Sequence, residues 1–345
     1  VRTHPPGPIL LMWAVRQLAL AHADLLARLE AFLVRTYDLS AADLISLSRV
    51  ATTWQLSTAD ALVACLISWL LTVLSVLIFL PVYGLGAVLG NRRVGLAAAA
   101  LSLSLPALWC FLPGIDGVGA VIALTALWLW AMALRNGDWW RYALAGLGFA
   151  VALFWSYGYL ALGLVALFLG WSSRESRPAN LPAGLVYTVA AWALFYGLLD
   201  ACFGFNLWRA LPAALGTQRM IMLREHRAYL TWLALNPYAL LVFLGPALWG
   251  GMVWAWFSRG VQHGFLARAT QGTLLTVLLL LLMGSTRGEV ERIWVFLMPL
   301  LLLPFAALLT RLPKPLSLWL PVALLIAQIA FAIFLSTNFL LVSAA

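Results

Sequence analysis

The chain has 345 residues, 64% of them hydrophobic and only 10% charged, with a mean hydropathy of +0.97. A water-soluble domain carries about 25% charged residues, so a sequence this apolar excludes a protein that covers itself with polar surface. The net charge of +9 does not indicate nucleic acid, because the basic residues stand singly or in pairs between apolar runs and form no stripe with stacking aromatics.

In lipid only helices and closed barrels satisfy the backbone. The apolar runs are long and lack ten-residue alternation, so the expected fold is an all-α integral membrane protein. The chain begins at Val1 with no signal peptide, followed by the polar, proline-rich Arg2-Thr3-His4-Pro5-Pro6-Gly7-Pro8. That opening reads as a fragment lacking its natural N-terminus, or as a chain whose start was wrongly assigned. Residues 9–56 mix Arg16, Asp24, Arg28, Glu30, Arg35, Asp38, Asp43 and Arg49 with Leu and Ala. They are too polar to span and suit amphipathic helices lying on the outer membrane surface; the competing reading is a poorly made first span.

Runs near the roughly 20 residues needed to cross a bilayer follow at 58–89, 94–111, 117–134, 142–156, 157–171, 181–201, 233–257, 272–284, 293–309 and 317–340. They predict a polytopic bundle of about ten transmembrane helices within 58–340, and one membrane domain over 1–345. The run 142–171 is divided at Ser156-Tyr157-Gly158, which makes the charge arithmetic consistent.

Orientation follows from Lys and Arg in short loops. One alternate set holds Arg92, Arg93, Arg135, Arg141, Arg174, Arg177, Arg259, Arg268, Arg311 and Lys314, and the other holds only Arg287 and Arg292. The first set is therefore expected in the cytoplasm. The loop at 202–232 departs from the rule, with Arg209, Arg219, Arg224 and Arg227 on the outer side, and suggests an anionic ligand there. Cys65, Cys110 and Cys202 show no paired spacing, so neither a disulfide framework nor a metal cluster is indicated.

Ionisable residues beside a membrane need a reason, and four outer groups stand out. His4, behind its prolines, is a ligand, a proton relay or a helix-cap partner. Asp116 follows Leu112-Pro113-Gly114-Ile115 and is either an N-cap or a functional carboxylate. The stretch from Arg219 to Tyr229 carries Arg224, Glu225, His226 and Arg227, able to grip a phosphate bidentately or to snorkel from an interfacial helix. Ser285-Thr286-Arg287-Gly288-Glu289-Val290-Glu291-Arg292 is the densest charge in the chain. Mutual pairing explains it blandly, yet so short a loop needs no charge at all.

With these residues in order, the chain resembles the bacterial GT-C glycosyltransferases that use polyprenyl-phosphate sugars, such as protein mannosyltransferases and lipid A aminoarabinose transferases. Thr3-His4-Pro5-Pro6-Gly7-Pro8-Ile9-Leu10-Leu11 is similar to that family's His-Pro-Pro segment. The stretch Gly90 to Arg135, with Asn91-Arg92-Arg93, Pro106 and Asp116, resembles its next hairpin, and Glu291-Arg292-Ile293-Trp294-Val295-Phe296-Leu297-Met298-Pro299 its late segment. The resemblance implies transfer of a sugar from a lipid-linked donor to a glycan, lipid or protein acceptor at the extracytoplasmic face of a bacterial inner membrane. It places Asp116 in an assisting role, with the catalytic base upstream of Val1. Arg292 is the first choice for the donor phosphate, followed by Arg287, Arg224, Arg227 and His226, with His4, Glu289 and Glu291 in support. No cofactor and no metal are expected, so activity should survive chelation. The competing classes are a transporter or flippase of a lipid-linked anion and a non-catalytic membrane scaffold. Mid-membrane polar or broken helices and inverted repeats would favour a transporter.

Overall fold

The computed structural model describes residues 5–51, 56–172, 181–258 and 264–343. His4, Arg174, Arg177 and Arg259 lie outside these residues. The described chain is helical, in the order α1 (Gly7–Ala21), α2 (Ala23–Tyr37), α3 (Ala41–Ala51), α4 (Thr58–Val76), α5 (Phe79–Leu89), α6 (Arg92–Leu103), α7 (Pro106–Cys110), α8 (Ile115–Asn136) and α9 (Trp139–Trp155). A 3-10 turn (Tyr157–Ala161) leads into α10 (Leu162–Ser172), α11 (Leu181–Phe203), α12 (Leu207–Arg224), α13 (Tyr229–Leu244), α14 (Pro246–Phe257), α15 (Gly264–Met283), α16 (Val290–Ile293), α17 (Met298–Leu309) and α18 (Leu316–Ser343).

Local chemistry accounts for the boundaries. Ser57 opens α4 by accepting the Asp60 N–H, and Asn91 opens α6 by accepting those of Arg93 and Val94. Both are side-chain oxygens satisfying orphan amides of a first turn. Gly137, at φ 76°, ends α8 in the left-handed region where a Cβ is penalised. Ser156 is extended and accepts from the Gly158 N–H, so the chain does break at the predicted Ser156-Tyr157-Gly158.

Five helical stretches are long and apolar enough to cross a membrane: Thr58–Leu89, Ile115–Asn136, Leu181–Phe203, Gly264–Met283 and Trp319–Asn338. The number rises to seven if each of two sharply bent pairs is one span. Several predicted runs are thus divided or shortened. The run 94–111 breaks before Pro106, whose ring holds Leu105 extended. The run 233–257 bends by 102° at Gly245-Pro246, between α13 and α14. Gly245 has φ 93°, and a proline in the next turn cannot donate its amide. α17 has only 12 residues, because Trp294 to Leu297 form turns in front of it. In the N-terminal part, α1 and α2 meet at 95° around His22 and together pass the same test of length and apolarity. α2 buries Leu26, Leu29 and Leu33, an i, i+3, i+7 stripe, and exposes its charged side.

The centre of the bundle is α8 and α17; every residue of α17 is buried. α11 and α18 are the opposite case, with only 6% and 11% of their most apolar stretches buried although the side chains are Leu, Val, Ile and Phe. Surface of that kind is stable against hydrocarbon and not against water, the pattern of a helical membrane protein.

α8 and α17 run in the same direction. Their first residues follow Gly114 and Leu297, and their last lie beside Arg135 and Arg311. The Arg135 guanidinium donates to the Val88 carbonyl at 3.2 Å, tying the end of α8 to the end of α5. Asp116 and Arg135 are therefore at opposite ends, separated by roughly 28 Å of helix.

α11 is joined to α9 along a seam of small residues. A Cβ on Gly146 would collide with the Thr188 carbonyl oxygen, and one on Gly184 with the Tyr142 ring. The Thr188 hydroxyl lies 3.0 Å from the Tyr142 carbonyl and 2.9 Å from that of Gly184. Lipid supplies no hydrophobic drive between helices, so close backbone approach carries the association. Gly146→Val is expected to lower unfolding stability by about 1–3 kcal/mol, measured by denaturant titration in detergent, whereas Gly163→Ala, facing open space, should be near neutral.

Candidate functional site

Charge gathers at the end of the bundle where α8 begins. Three segments far apart in sequence meet there: the first turn of α8, the connection between α12 and α13, and the connection from α15 through α16.

The last of these is shaped by backbone conformation. Gly284, Gly288 and Glu289 all have positive φ, at 57°, 83° and 60°. At Gly288 a Cβ would also stand 2.9 Å from Nη1 of Arg227 and 3.0 Å from the Trp232 ring, so glycine is required twice over. Asn236, buried within α13, pins the loop by donating to the Thr286 carbonyl at 2.8 Å and accepting the Gly288 N–H at 3.1 Å. The Tyr229 hydroxyl donates to the Leu282 carbonyl at 2.8 Å. The start of α8 is held in turn by Trp155 Nε1, which donates to Ile115 O at 2.9 Å, and by the Tyr159 hydroxyl, which donates to Asp116 O at 3.0 Å.

On this frame lies a chain of ion pairs. Nε of Arg292 is 3.0 Å from Oδ2 of Asp116, and Nη2 of Arg292 is 2.8 Å from Oε2 of Glu289. The other oxygen of Glu289 is 3.3 Å from Nη2 of Arg227, whose Nε is 2.6 Å from Glu225. The order is Asp116, Arg292, Glu289, Arg227, Glu225, alternating in sign throughout. Arg227 also lies over the Trp232 ring, 5.8 Å from its centroid. Arg292 remains 40% exposed, and its Nη1 takes part in none of these pairs. Beside Asp116 and Arg292 a crevice walled by Leu108, Phe111 and Val295 offers about 10 Å³, space for about one water.

Asp116 is in the first turn of α8 but is not its cap. Gly114 occupies that position, and the carboxylate turns to Arg292 instead. Arg287 is also placed differently from the expectation that it grips a donor phosphate. Its Nη1 donates to the Arg227 carbonyl at 2.8 Å and its Nε to the Gly284 carbonyl at 3.2 Å, while its own carbonyl accepts from Arg227. Arg287 thus fastens two connections together, because their bent backbones leave carbonyls that need donors.

Arg224 and His226 are exposed and enter none of the pairs described. His226 has φ 51° and serves the turn that ends α12, where the Arg227 N–H donates to Met222 O at 3.0 Å. Glu291 sits half-buried beside the chain of pairs and is 4 Å or less from no described cation. Burial pushes its carboxyl above the ordinary value of 4.5, Glu289 adds to the rise, and Arg292 and Arg227 oppose it. Among the described residues no three His, Cys, Asp or Glu side chains gather as a metal site.

Asn236, Trp155 and Tyr159 are the site residues that sequence reasoning passed over. Asn236 carried a usable signal, a lone amide in an apolar run ahead of Pro237, since an isolated polar side chain in such a helix needs a partner. The two aromatics are indistinguishable by sequence from membrane-interface residues. No protein-family model matches the chain, and a search of curated proteins returns no match.

Two outcomes follow from this geometry. Asn236→Ala leaves a part-buried carbonyl and a buried N–H without their side-chain partner, and is expected to cost about 1–3 kcal/mol in denaturant unfolding. The raised carboxyl of Glu291 contributes stability that is complete below pH 4.5 and is lost as the pH rises through its higher folded value. Glu291→Gln should therefore melt above the wild type at neutral pH, with the two curves converging in acid; a constant difference across pH would contradict the assignment.

Proposed function

We propose that the protein is a multi-pass membrane glycosyltransferase of the GT-C type, which moves a sugar from a polyprenyl-phosphate donor onto a glycan, lipid or protein acceptor. In this reading it spans a bacterial inner membrane, with α1 to α3 on the outer surface and the Asp116 end extracytoplasmic. The observation that carries the reading is the meeting of Asp116 with Arg292, residues 176 positions apart, the first given an assisting role by the resemblance and the second the first choice for the donor phosphate. Three lines of chemistry support it.

Donor phosphate needs cationic hydrogen-bond donors at the lipid–water boundary, and the exposed part of Arg292 supplies them. Departure of the lipid phosphate develops negative charge, which a guanidinium hydrogen-bonded to Glu289 and lying beside Asp116 stabilises. Asp116, 3.0 Å from that guanidinium, orients Arg292 and assists at the acceptor side. Arg227 follows as the second cation, while Arg287 holds the loop that presents them. With room for only about one water beside the pair, the donor head group binds across the exposed face of Arg292 or opens the crevice between α7 and α8.

The transporter reading has less support. The threonines buried in α15 return their hydroxyls to carbonyls one turn back, as Thr270, Thr273 and Thr276 do at 2.7–2.9 Å. The break at Gly245-Pro246, where buried Gln328 donates to the Leu244 carbonyl at 2.7 Å, is the feature that favours a transporter; against it, the ion pairs of this site gather at one end, where surface chemistry would take place.

The test is transfer from a radiolabelled polyprenyl-phosphate sugar by the intact protein in proteoliposomes. Arg292→Ala is expected to reduce transfer by about 10²–10³-fold, with Arg292→Lys intermediate, an unchanged elution profile and undiminished activity of the wild type in EDTA. Wild-type transfer by the folded Arg292→Ala protein would overturn the donor-site assignment; export of intact donor in place of transfer would favour the flippase.

A further inference from the structure

At the opposite end of the bundle, the first turn of α6 and the last residues of α17 enclose a cavity of about 270 Å³. Asn91, Arg93, Thr310 and Arg311 form its polar wall, and Leu89 and Leu266 are on its apolar side. We infer that this cavity is a binding site for the phosphate head group of an anionic phospholipid, held by Arg93 and Arg311. The inference is independent of the proposed transfer chemistry, which involves neither arginine.

Charge is the first reason. Arg93 and Arg311 both line this space. An arginine has five N–H donors in a fork that matches phosphate oxygens, so a guanidinium engaged in one contact retains donors for another. The second reason is the helix end. The N-terminal turn of α6 borders the cavity, and the positive end of its dipole adds to the attraction for an anion. Asn91 already accepts the Arg93 and Val94 amides, so binding falls to the side chains and the dipole, and the backbone is spared.

The C-terminal end of α17 works in the opposite direction, because its carbonyls repel anions. Its last carbonyls are occupied. The Thr310 N–H donates to Ala306 O at 3.4 Å, the Arg311 N–H to Leu308 O at 2.9 Å and the Thr310 hydroxyl to Ala307 O at 2.8 Å. With these carbonyls engaged, the remaining N–H groups of the arginines are the donors an anion meets at this wall.

The third reason distinguishes a lipid from free phosphate. Leu89, Val94, Leu266 and Ala307 line the same space, and the apolar helices α5, α15 and α17 all converge on it. A phosphate seated between Arg93 and Arg311 would leave its acyl chains against those apolar surfaces. Basic pockets between membrane helices commonly take anionic head groups in this way.

The test is native mass spectrometry of the detergent-purified protein with added dioleoyl-phosphatidylglycerol, beside thermal melting in the same lipid. One retained lipid per chain and a raised melting temperature are expected, with neither effect from dioleoyl-phosphatidylcholine. The double variant Arg93→Gln/Arg311→Gln should bind the lipid roughly 25-fold more weakly, about fivefold for each arginine. Lys314→Gln, at the same end but outside the cavity, should bind as the wild type does. Equal weakening by Lys314→Gln would overturn the inference in favour of diffuse surface attraction. Stabilisation by inorganic phosphate that matches phosphatidylglycerol would assign the cavity to a free anion instead of a lipid. Equal retention of phosphatidylcholine by the wild type would overturn head-group recognition, and this comparison holds even if the double variant does not fold.

Discussion

Charge is expensive in hydrocarbon, and that cost organises this molecule. The described bundle is built around α8 and α17, whose middle residues are apolar and whose ends carry the ionisable groups. At one end Asp116, Arg292, Glu289, Arg227 and Glu225 alternate in sign, so the two largely buried charges, Asp116 and Arg227, each have an opposite neighbour. At the other end lie Arg93, Arg135 and Arg311, with Asp138 and Arg141 paired to each other after the end of α8. The two ends are thus chemically distinct. One is a neutralised network presenting a partly exposed guanidinium, and the other is a cationic surface with a cavity in it.

The network depends on loops that no propensity would favour. Gly288 and Glu289 turn the chain with positive φ, and Asn236 fills both hydrogen bonds of the turn from a neighbouring helix. Arg287 supplies donors to carbonyls that the bent backbone leaves bare. These contacts place Glu289 between two arginines. A catalytic or binding role for Arg292 therefore rests on a rigid support in which neutral and charged residues have different tasks. The carboxyl of half-buried Glu291 is raised, first by burial and then by Glu289.

The resemblance to the GT-C enzymes and the geometry bear on different questions. The sequence singled out Asp116 and Arg292 one at a time, the first as an assisting carboxylate and the second as the first choice for a donor phosphate. Their contact is a separate fact, and it converts two weak motif matches into one electrostatic unit. It also redistributes the arginines: Arg227 joins the unit, Arg287 becomes a brace, and Arg224 and His226 stand aside on the surface. Residue type alone could not separate these roles, because a guanidinium bonds equally well to a phosphate, a carboxylate or a backbone carbonyl.

The sequence by itself determined that the chain is helical and belongs in lipid, since 64% hydrophobic residues in long unbroken runs leave no other way to satisfy the backbone. It also located the break at Ser156 and the dense charge at 285–292. Helix lengths were less legible. Pro106 and Gly245-Pro246 were read through as parts of continuous apolar runs, although a proline ends the local hydrogen-bond ladder whatever the hydropathy around it. Tertiary structure alone decided which charges meet, because the partners of Arg292 are three and 176 residues away and nothing local distinguishes the second from any other acid. It alone decided, too, that Arg93 and Arg311 share a cavity: their proximity comes from α6 packing against α17, a consequence of side-chain shape that hydropathy does not encode.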